Sequence, residues 1–207
     1  MKLKVCGLTR MTQIQELIDM KTDYLGFIFY KKSPRYVLNH LNLDQISKFS
    51  HNGKVGVFVN EEVHKIVEIS EKADLNYIQL HGDENDNYIA ELRDRLNPGI
   101  RIIRVIRVGE TETALQLKIK NERFIDYFLF DTDSKSFGGT GKTFDWQILN
   151  GLEITKPYFL SGGISLENYD EIENFKQHPF AIDINSKFET EPGIKDVKKI
   201  NQLYEKL

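Results

Sequence analysis

The chain has 207 residues, of which 40% are hydrophobic and 29% charged, enough to bury one substantial core as a single domain over 1–207. Its 28 Lys and Arg against 31 Asp and Glu leave a net charge of -3 with no sustained basic stripe, which argues against nucleic acid as a partner. The opening MKLKVCGLTR is too short in its apolar part for a signal peptide, and nothing approaches the ~20 apolar residues of a membrane span, so the expectation is a cytoplasmic protein without a membrane partner.

In chain order, short β-rich runs alternate with longer stretches of helical spacing. The predicted strands are Lys2 to Cys6, Asp23 to Phe29, Lys54 to Val59, Asn76 to Leu80, Arg101 to Val105, Tyr127 to Asp131, Pro157 to Ser161 and Pro179 to Ile184. Between them lie predicted helices at Thr12 to Met20, Glu61 to Lys72, Asp86 to Leu96, Glu110 to Asn121 and Leu166 to Phe175, with Asp196 to Leu207 closing the chain. Asn60 and Ser165 stand where N-caps belong, and a further helix is expected to open at Phe144. Eight βα units of roughly 26 residues each fit a single (β/α)8 TIM barrel with parallel strands, an α/β fold. A doubly wound open sheet is the alternative.

The strand ends carry the chemistry. Run one ends Cys6-Gly7-Leu8-Thr9, run two leads to Ser33-Pro34-Arg35, run four ends Gln79-Leu80-His81-Gly82, and run six delivers Asp131. Run seven ends Ser161-Gly162-Gly163 and run eight Asp183-Ile184-Asn185-Ser186. In a parallel barrel those ends share one rim, so residues far apart in sequence converge on one pocket. Cys6 is the single cysteine, with no intrachain disulfide partner and no Cys or His neighbour at metal-ligand spacing, so it matters as a thiol if it matters at all. Asp131 precedes a glycine-rich loop, Gly138-Gly139-Thr140-Gly141, that can approach a ligand or bend sharply.

These motifs together resemble the phosphoribosylanthranilate isomerase family of tryptophan biosynthesis from end to end. The resemblance rests on KVCGLT from Lys4, SPRYV from Ser33, IQLHGDE from Ile78, the Asp131 strand with GGTGKTFDW from Gly138, LSGGI from Leu160, and DINS from Asp183 followed by PGIKD from Pro192. It implies a (β/α)8 barrel that converts an N-linked phosphoribosyl-anthranilate aminoaldose into a 1-deoxyribulose phosphate aminoketose. No cofactor and no metal are implied, and the partner is a small-molecule substrate, with the protein a monomer or homodimer.

That Amadori rearrangement needs an acid to protonate the furanose oxygen and a base to take a proton from C2′. By resemblance Cys6 is the base and Asp131 the acid, although Asp133 lies nearby. A thiol needs a local positive field to ionise, and a donor carboxyl needs a raised pKa. Arg35 offers a planar fork for the anthranilate carboxylate, or else is an ordinary surface residue after proline. His81 joins the pocket or serves as a strand-end structural histidine. Asp183 resembles the family's substrate-contacting acid, and Gly162, Gly163, Asn185 and Ser186 stand where such barrels bind phosphate on loops and a short helix N-terminus. Family members usually carry Ser-Gly-Val-Glu where this chain has Ser186-Lys187-Phe188-Glu189. If that position requires positive φ, Lys187 costs about 1 kcal/mol or imposes another loop shape; alternatively its ammonium helps neutralise the phosphate. Thr132 to Thr143 stands where a loop could fold over bound substrate and exclude water, a closure that the sequence does not decide. Two rivals stand beside this reading. One is another phosphosugar barrel enzyme using paired aspartates or a Lys/Glu set, and the other is a non-catalytic phosphosugar-binding barrel.

Overall fold

Strands whose residues are apolar at consecutive positions must be covered on both faces, and here a closed barrel does this. In the computed structural model, which describes residues 1–109, 111–119, 123–132 and 144–207, eight parallel strands pair in chain order and close on themselves. They are β1 (Lys2–Val5), β2 (Tyr24–Ile28), β3 (Lys54–Phe58), β4 (Tyr77–Leu80), β5 (Arg101–Val108), β6 (Tyr127–Thr132), β7 (Tyr158–Leu160) and β8 (Ala181–Ile184). Each falls on a predicted run. The open-sheet alternative is ruled out by the β1–β8 seam, where Lys2 pairs with Ala181 and Lys4 with Asp183.

The two-residue period of each strand sorts its side chains into two cores. Leu25, Phe27, Ile78, Phe128 and Leu160 face outward into a large core shared with the helices. Tyr24, Val55, Ile103, Leu129 and Phe159 pack inside the barrel. The Tyr24 ring meets Tyr77 and Phe159 edge-on, each at 5.2 Å between centroids, and Tyr127 lies 5.6 Å from Phe159. The Lys2 ammonium sits 4.7 Å from the Phe180 ring centroid on the same side. This aromatic plug fills the amino-terminal half of the barrel, leaving the polar residues to the carboxyl-terminal mouth.

The helices are α1 (Met11–Asp19), α2 (Leu43–Ser47), α3 (Val63–Lys72), α4 (Asp86–Arg95), α5 (Glu112–Ile119) and α6 (Val197–Tyr204). Each of the longer ones buries one stripe, such as Ile14 and Leu17 of α1 or Ile200 and Leu203 of α6. Of the helix predicted at Glu110 to Asn121, Glu110, Lys120 and Asn121 lie outside the described residues. The other departures are local. Leu166 to Phe175 forms only a 3-10 turn at Tyr169–Asn174, and Trp146–Gly151 is likewise 3-10, capped by Asp145 where a helix was expected from Phe144. Asn60 is not an N-cap: its φ is 49°, and its Oδ1 accepts from the Asp83 amide, tying two loops at the mouth together. Ser165 caps no helix either, since its amide donates to Asn168 Oδ1. The short α2 went unpredicted, although Asn42 and Gln45 form a reciprocal capping box at its start.

A hairpin also went unpredicted. After β8 come a 3-10 turn at Ser186–Phe188 and then β9 (Glu189–Glu191) and β10 (Ile194–Lys195), antiparallel. The hairpin is pinned to the start of the chain. Gln13 makes two hydrogen bonds to the Lys195 backbone, at 2.6 and 2.9 Å, and Thr9 Oγ1 donates to the Gly193 carbonyl at 2.6 Å.

Candidate active site

Parallel strands raise their inward side chains in steps of two and deliver the last of them to one mouth. Lys4 and then Cys6 rise along β1, Gln79 and His81 along β4, and Leu129 and Asp131 along β6. Cys6 continues β1, its amide donating to the Ile184 carbonyl at 2.9 Å. The thiol packs against Gly26 of β2 so closely that a Cβ there would lie 2.9 Å from the sulfur, so only glycine leaves room for it. Burial pushes the thiol pKa up, while the Lys4 and Lys195 ammonium groups pull against that shift.

Asp131 is half-buried, and desolvation raises its pKa against the Thr132 amide (2.8 Å), Lys4, the Ser161 hydroxyl and Arg107. His81 Nε2 faces Asp131 Oδ2 at 3.5 Å, and its Nδ1 lies 3.0 Å from the Gln79 amide nitrogen. With the amide nitrogen donating to Nδ1, the ring proton sits on Nε2 and faces the carboxyl. Burial first, then Lys4 and Arg107, push His81 down to about 4, so at neutral pH the contact is between a neutral imidazole and the carboxyl and is not an ion pair.

Asp183 lies beneath this layer, its Oδ2 2.6 Å from Lys4 Nζ. Burial raises its pKa and Lys4 opposes the rise. For Lys4, burial alone would favour loss of the proton, but Asp183 and Cys6 outweigh burial and hold the ammonium above its ordinary range.

Arg35 is no surface residue, its side chain being only 9% exposed. Glu189 grips one edge of its guanidinium, with Nε donating at 3.0 Å to each carboxylate oxygen and Nη2 donating at 2.6 Å. The same carboxylate accepts from Lys195 Nζ at 2.6 Å and from the Gly193 amide at 3.0 Å. Lys195 reaches on to Asn185 Oδ1 at 2.8 Å. Burial leads the effects on Glu189 and would raise its pKa, but Arg35 and Lys195 prevail and hold it below the usual carboxylate range. Gly7, with φ 77°, makes this cluster possible, since a Cβ there would meet Arg35 Cδ at 2.7 Å and Asn185 Oδ1 at 2.9 Å.

Gly162 and Gly163 follow β7 with φ of 87° and 78°, and Asn168 Nδ2 donates to the Gly163 carbonyl at 3.0 Å. Ser186 opens the three-residue 3-10 turn, which supplies little of the dipole that a helix N-terminus would. The backbone strain anticipated at Lys187 is absent. Among the described residues, positive φ outside glycine occurs at Lys21, Asn60 and Asp74, and Lys187 sits exposed in the turn with its carbonyl accepting from Lys199 Nζ at 2.9 Å. Asp133 and the glycines Gly138, Gly139 and Gly141 lie outside the described residues, as does the candidate covering loop beyond Thr132. Among the described residues, no three His, Cys, Asp or Glu side chains gather at metal-binding spacing.

The strand ends thus bring Cys6, His81, Asp131 and Asp183 to one electrostatic cluster, with Arg35 and Asn185 joined to it through Lys195 and Glu189. The family model for N-(5'-phosphoribosyl)anthranilate isomerase matches residues 3–206. The chain belongs to the phosphoribosylanthranilate isomerase family. It is 38% identical to the N-(5'-phosphoribosyl)anthranilate isomerase of Parabacteroides distasonis over 100% of this chain and 93% of that protein. Among solved structures, the phosphoribosyl anthranilate isomerase of Thermotoga maritima is 30% identical with a TM-score of 0.80, covering 100% of this chain and 99% of that one. A phosphoribosyl anthranilate isomerase in complex with reduced 1-(o-carboxyphenylamino)-1-deoxyribulose 5-phosphate is 28% identical with a TM-score of 0.78, covering 99% and 96%.

Three further charged groups, Lys4, Lys195 and Glu189, stand at this mouth beside the expected site residues. Lys4 and Lys195 lie within the motifs KVCGLT and PGIKD, and Glu189 closes the tetrapeptide Ser186-Lys187-Phe188-Glu189. The available signal was a charged residue on a strand whose neighbours are apolar on both faces, as Lys4 is between Leu3 and Val5.

Proposed function

We propose that the chain catalyses the Amadori rearrangement of N-(5-phosphoribosyl)anthranilate to 1-(2-carboxyphenylamino)-1-deoxyribulose 5-phosphate in tryptophan biosynthesis, working as a single catalytic domain over 1–207. The observation that carries this reading is a thiol flanked by the Lys4 and Lys195 ammonium groups and a half-buried carboxyl held toward its protonated form, on one barrel mouth three strand positions apart. Asp131 gives its proton to the furanose oxygen, and the ring opens to a protonated imine at C1′. Cys6 as thiolate then removes the C2′ proton. The electron pair moves to give an enolamine, which becomes the C2′ ketone as C1′ gains a proton and the C2′ hydroxyl loses one. Asp131 has given one proton and Cys6 has taken one, so proton exchange with solvent resets both, and no external oxidant or reductant is consumed.

Arg35 presents the edge not gripped by Glu189 to the anthranilate carboxylate, a planar match for its fork. Gly162, Gly163, Asn185 and Ser186 line the phosphate end, while His81 and Asp183 complete the pocket. Because Glu189 orients the fork, Glu189→Gln is expected to raise KM roughly five- to thirtyfold, equivalent to losing about 1–2 kcal/mol of binding, with a smaller change in kcat. Steady-state kinetics on the folded variant checks this, and an unchanged KM removes the clamp. No helix among the described residues is long and apolar enough to cross a membrane. The enzyme is proposed to work in the cytoplasm as a monomer or homodimer on this small-molecule substrate.

The test follows anthranilate fluorescence when the protein is mixed with freshly generated phosphoribosylanthranilate in buffer containing a chelator. Rapid loss of signal, with the aminoketose identified chromatographically, is the expected result. A rate no faster than the buffer blank rejects the isomerase and leaves another phosphosugar or binding alone.

A further inference from the structure

Lys4 stands two residues before Cys6 and shares its inward face, with none of its surface exposed. An ammonium buried that deeply persists only if anions compensate for its lost hydration. One is Asp183, in register across the β1–β8 seam and 2.6 Å away. Its other oxygen, Oδ1, is buried without a hydrogen-bond partner, so the pair does not close on itself. On the amino-terminal side lies the aromatic plug, so the remaining compensation comes from the mouth, where Cys6 is the next inward residue of the same strand.

We propose that Lys4 is a positioning residue for the catalytic base: its ammonium sets the thiolate fraction of Cys6, and Asp183 limits that fraction by competing for the same charge. The charged groups facing the thiol come from each element around it. They are Lys4 on β1 itself, Asp183 from β8 and Lys195 from β10, with Asp131 of β6, His81 of β4 and Arg35 of the loop after β2 behind them. Of the groups that favour the thiolate, Lys4 acts most strongly, ahead of Lys195, while Asp183 works against it. The Lys4 charge is also felt at Asp131 and His81, where it favours the carboxylate and the neutral ring.

The assignment rests on the isomerase reading only for the step from thiolate to base, and its test needs no substrate. Cys6 is the single cysteine, so protein made with isotope-labelled cysteine reports one thiol by NMR as pH is varied. Lys4→Met, which keeps the chain length without the charge, is expected to raise the thiol pKa by about one unit or more, a roughly tenfold loss of thiolate at neutral pH. The value of kcat/KM should fall by a similar factor while KM moves less, and Lys4→Arg should restore part of both. A thiol titration in folded Lys4→Met that overlies the wild type overturns the proposal. If Lys4→Met does not fold alone, it is combined with Asp183→Asn, which removes the buried countercharge: the double variant should show a higher thiol pKa than Asp183→Asn alone, and overlying titrations overturn the assignment. A wild-type protein without isomerase turnover would sink the proposed function, yet the titrations would still decide what Lys4 does to Cys6.

Discussion

Cys6→Ala is expected to lower kcat/KM by roughly 10²–10⁴ while the protein stays folded, the scale for removing a positioned base. The thiol occupies a small niche between Gly26 and the inner cluster with Ile28 and Val57, so losing one sulfur leaves little empty space. Cys6→Ser sharpens the test, because a hydroxyl fits the niche but is far harder to ionise than a thiol, and it should be as impaired as alanine. Turnover near the wild-type rate in either variant would take the base away from Cys6. Stability should respond with its own sign. The folded thiol has a raised pKa, so its contribution is fully present below the ordinary thiol value near ~8.5 and is lost as pH rises through the folded value. Alkaline unfolding should therefore be shallower in Cys6→Ala, as measured by denaturant titration across that range.

Asp131→Asn is expected to cost a similar factor, roughly 10²–10⁴, because an amide has no proton to give the ring oxygen. Here the effects on activity and stability should part. Desolvation raises the Asp131 pKa in the fold, so its stabilising contribution is fully present below ~3.9 and is lost as pH rises through the folded value. Asparagine keeps an oxygen for the Thr132 amide and carries no charge, so the inactive variant should melt at or above the wild-type temperature at neutral pH. The pH profile gives a second readout. Wild-type kcat/KM requires a protonated Asp131 and an ionised Cys6, which yields a bell; with asparagine the alkaline decline disappears and only a rise with thiol ionisation remains. A bell that persists in Asp131→Asn would place the acid elsewhere at the mouth, where His81 lies 3.5 Å from this carboxyl.

The sequence by itself determined the eight strands, their order and the residues at their carboxyl ends. Strands covered on both faces read as continuous apolar runs, and a parallel arrangement sends every run's last residue to the same side, so Cys6, His81, Asp131 and Asp183 were legible as one set. Capping was less legible. Asn60 has the right side chain for an N-cap, yet the fold uses its tolerance of left-handed backbone and its Oδ1 to join two loops. Tertiary structure alone decided the electrostatics. Lys4 meets Asp183 only because closure brings β1 beside β8 in that register, and Arg35 meets Glu189 only because the hairpin folds back over the first loop. Local pattern records which residues are apolar or turn-forming, whereas a buried charge depends on partners 179 and 154 residues away in the chain, which only closure of the barrel brings within bonding distance.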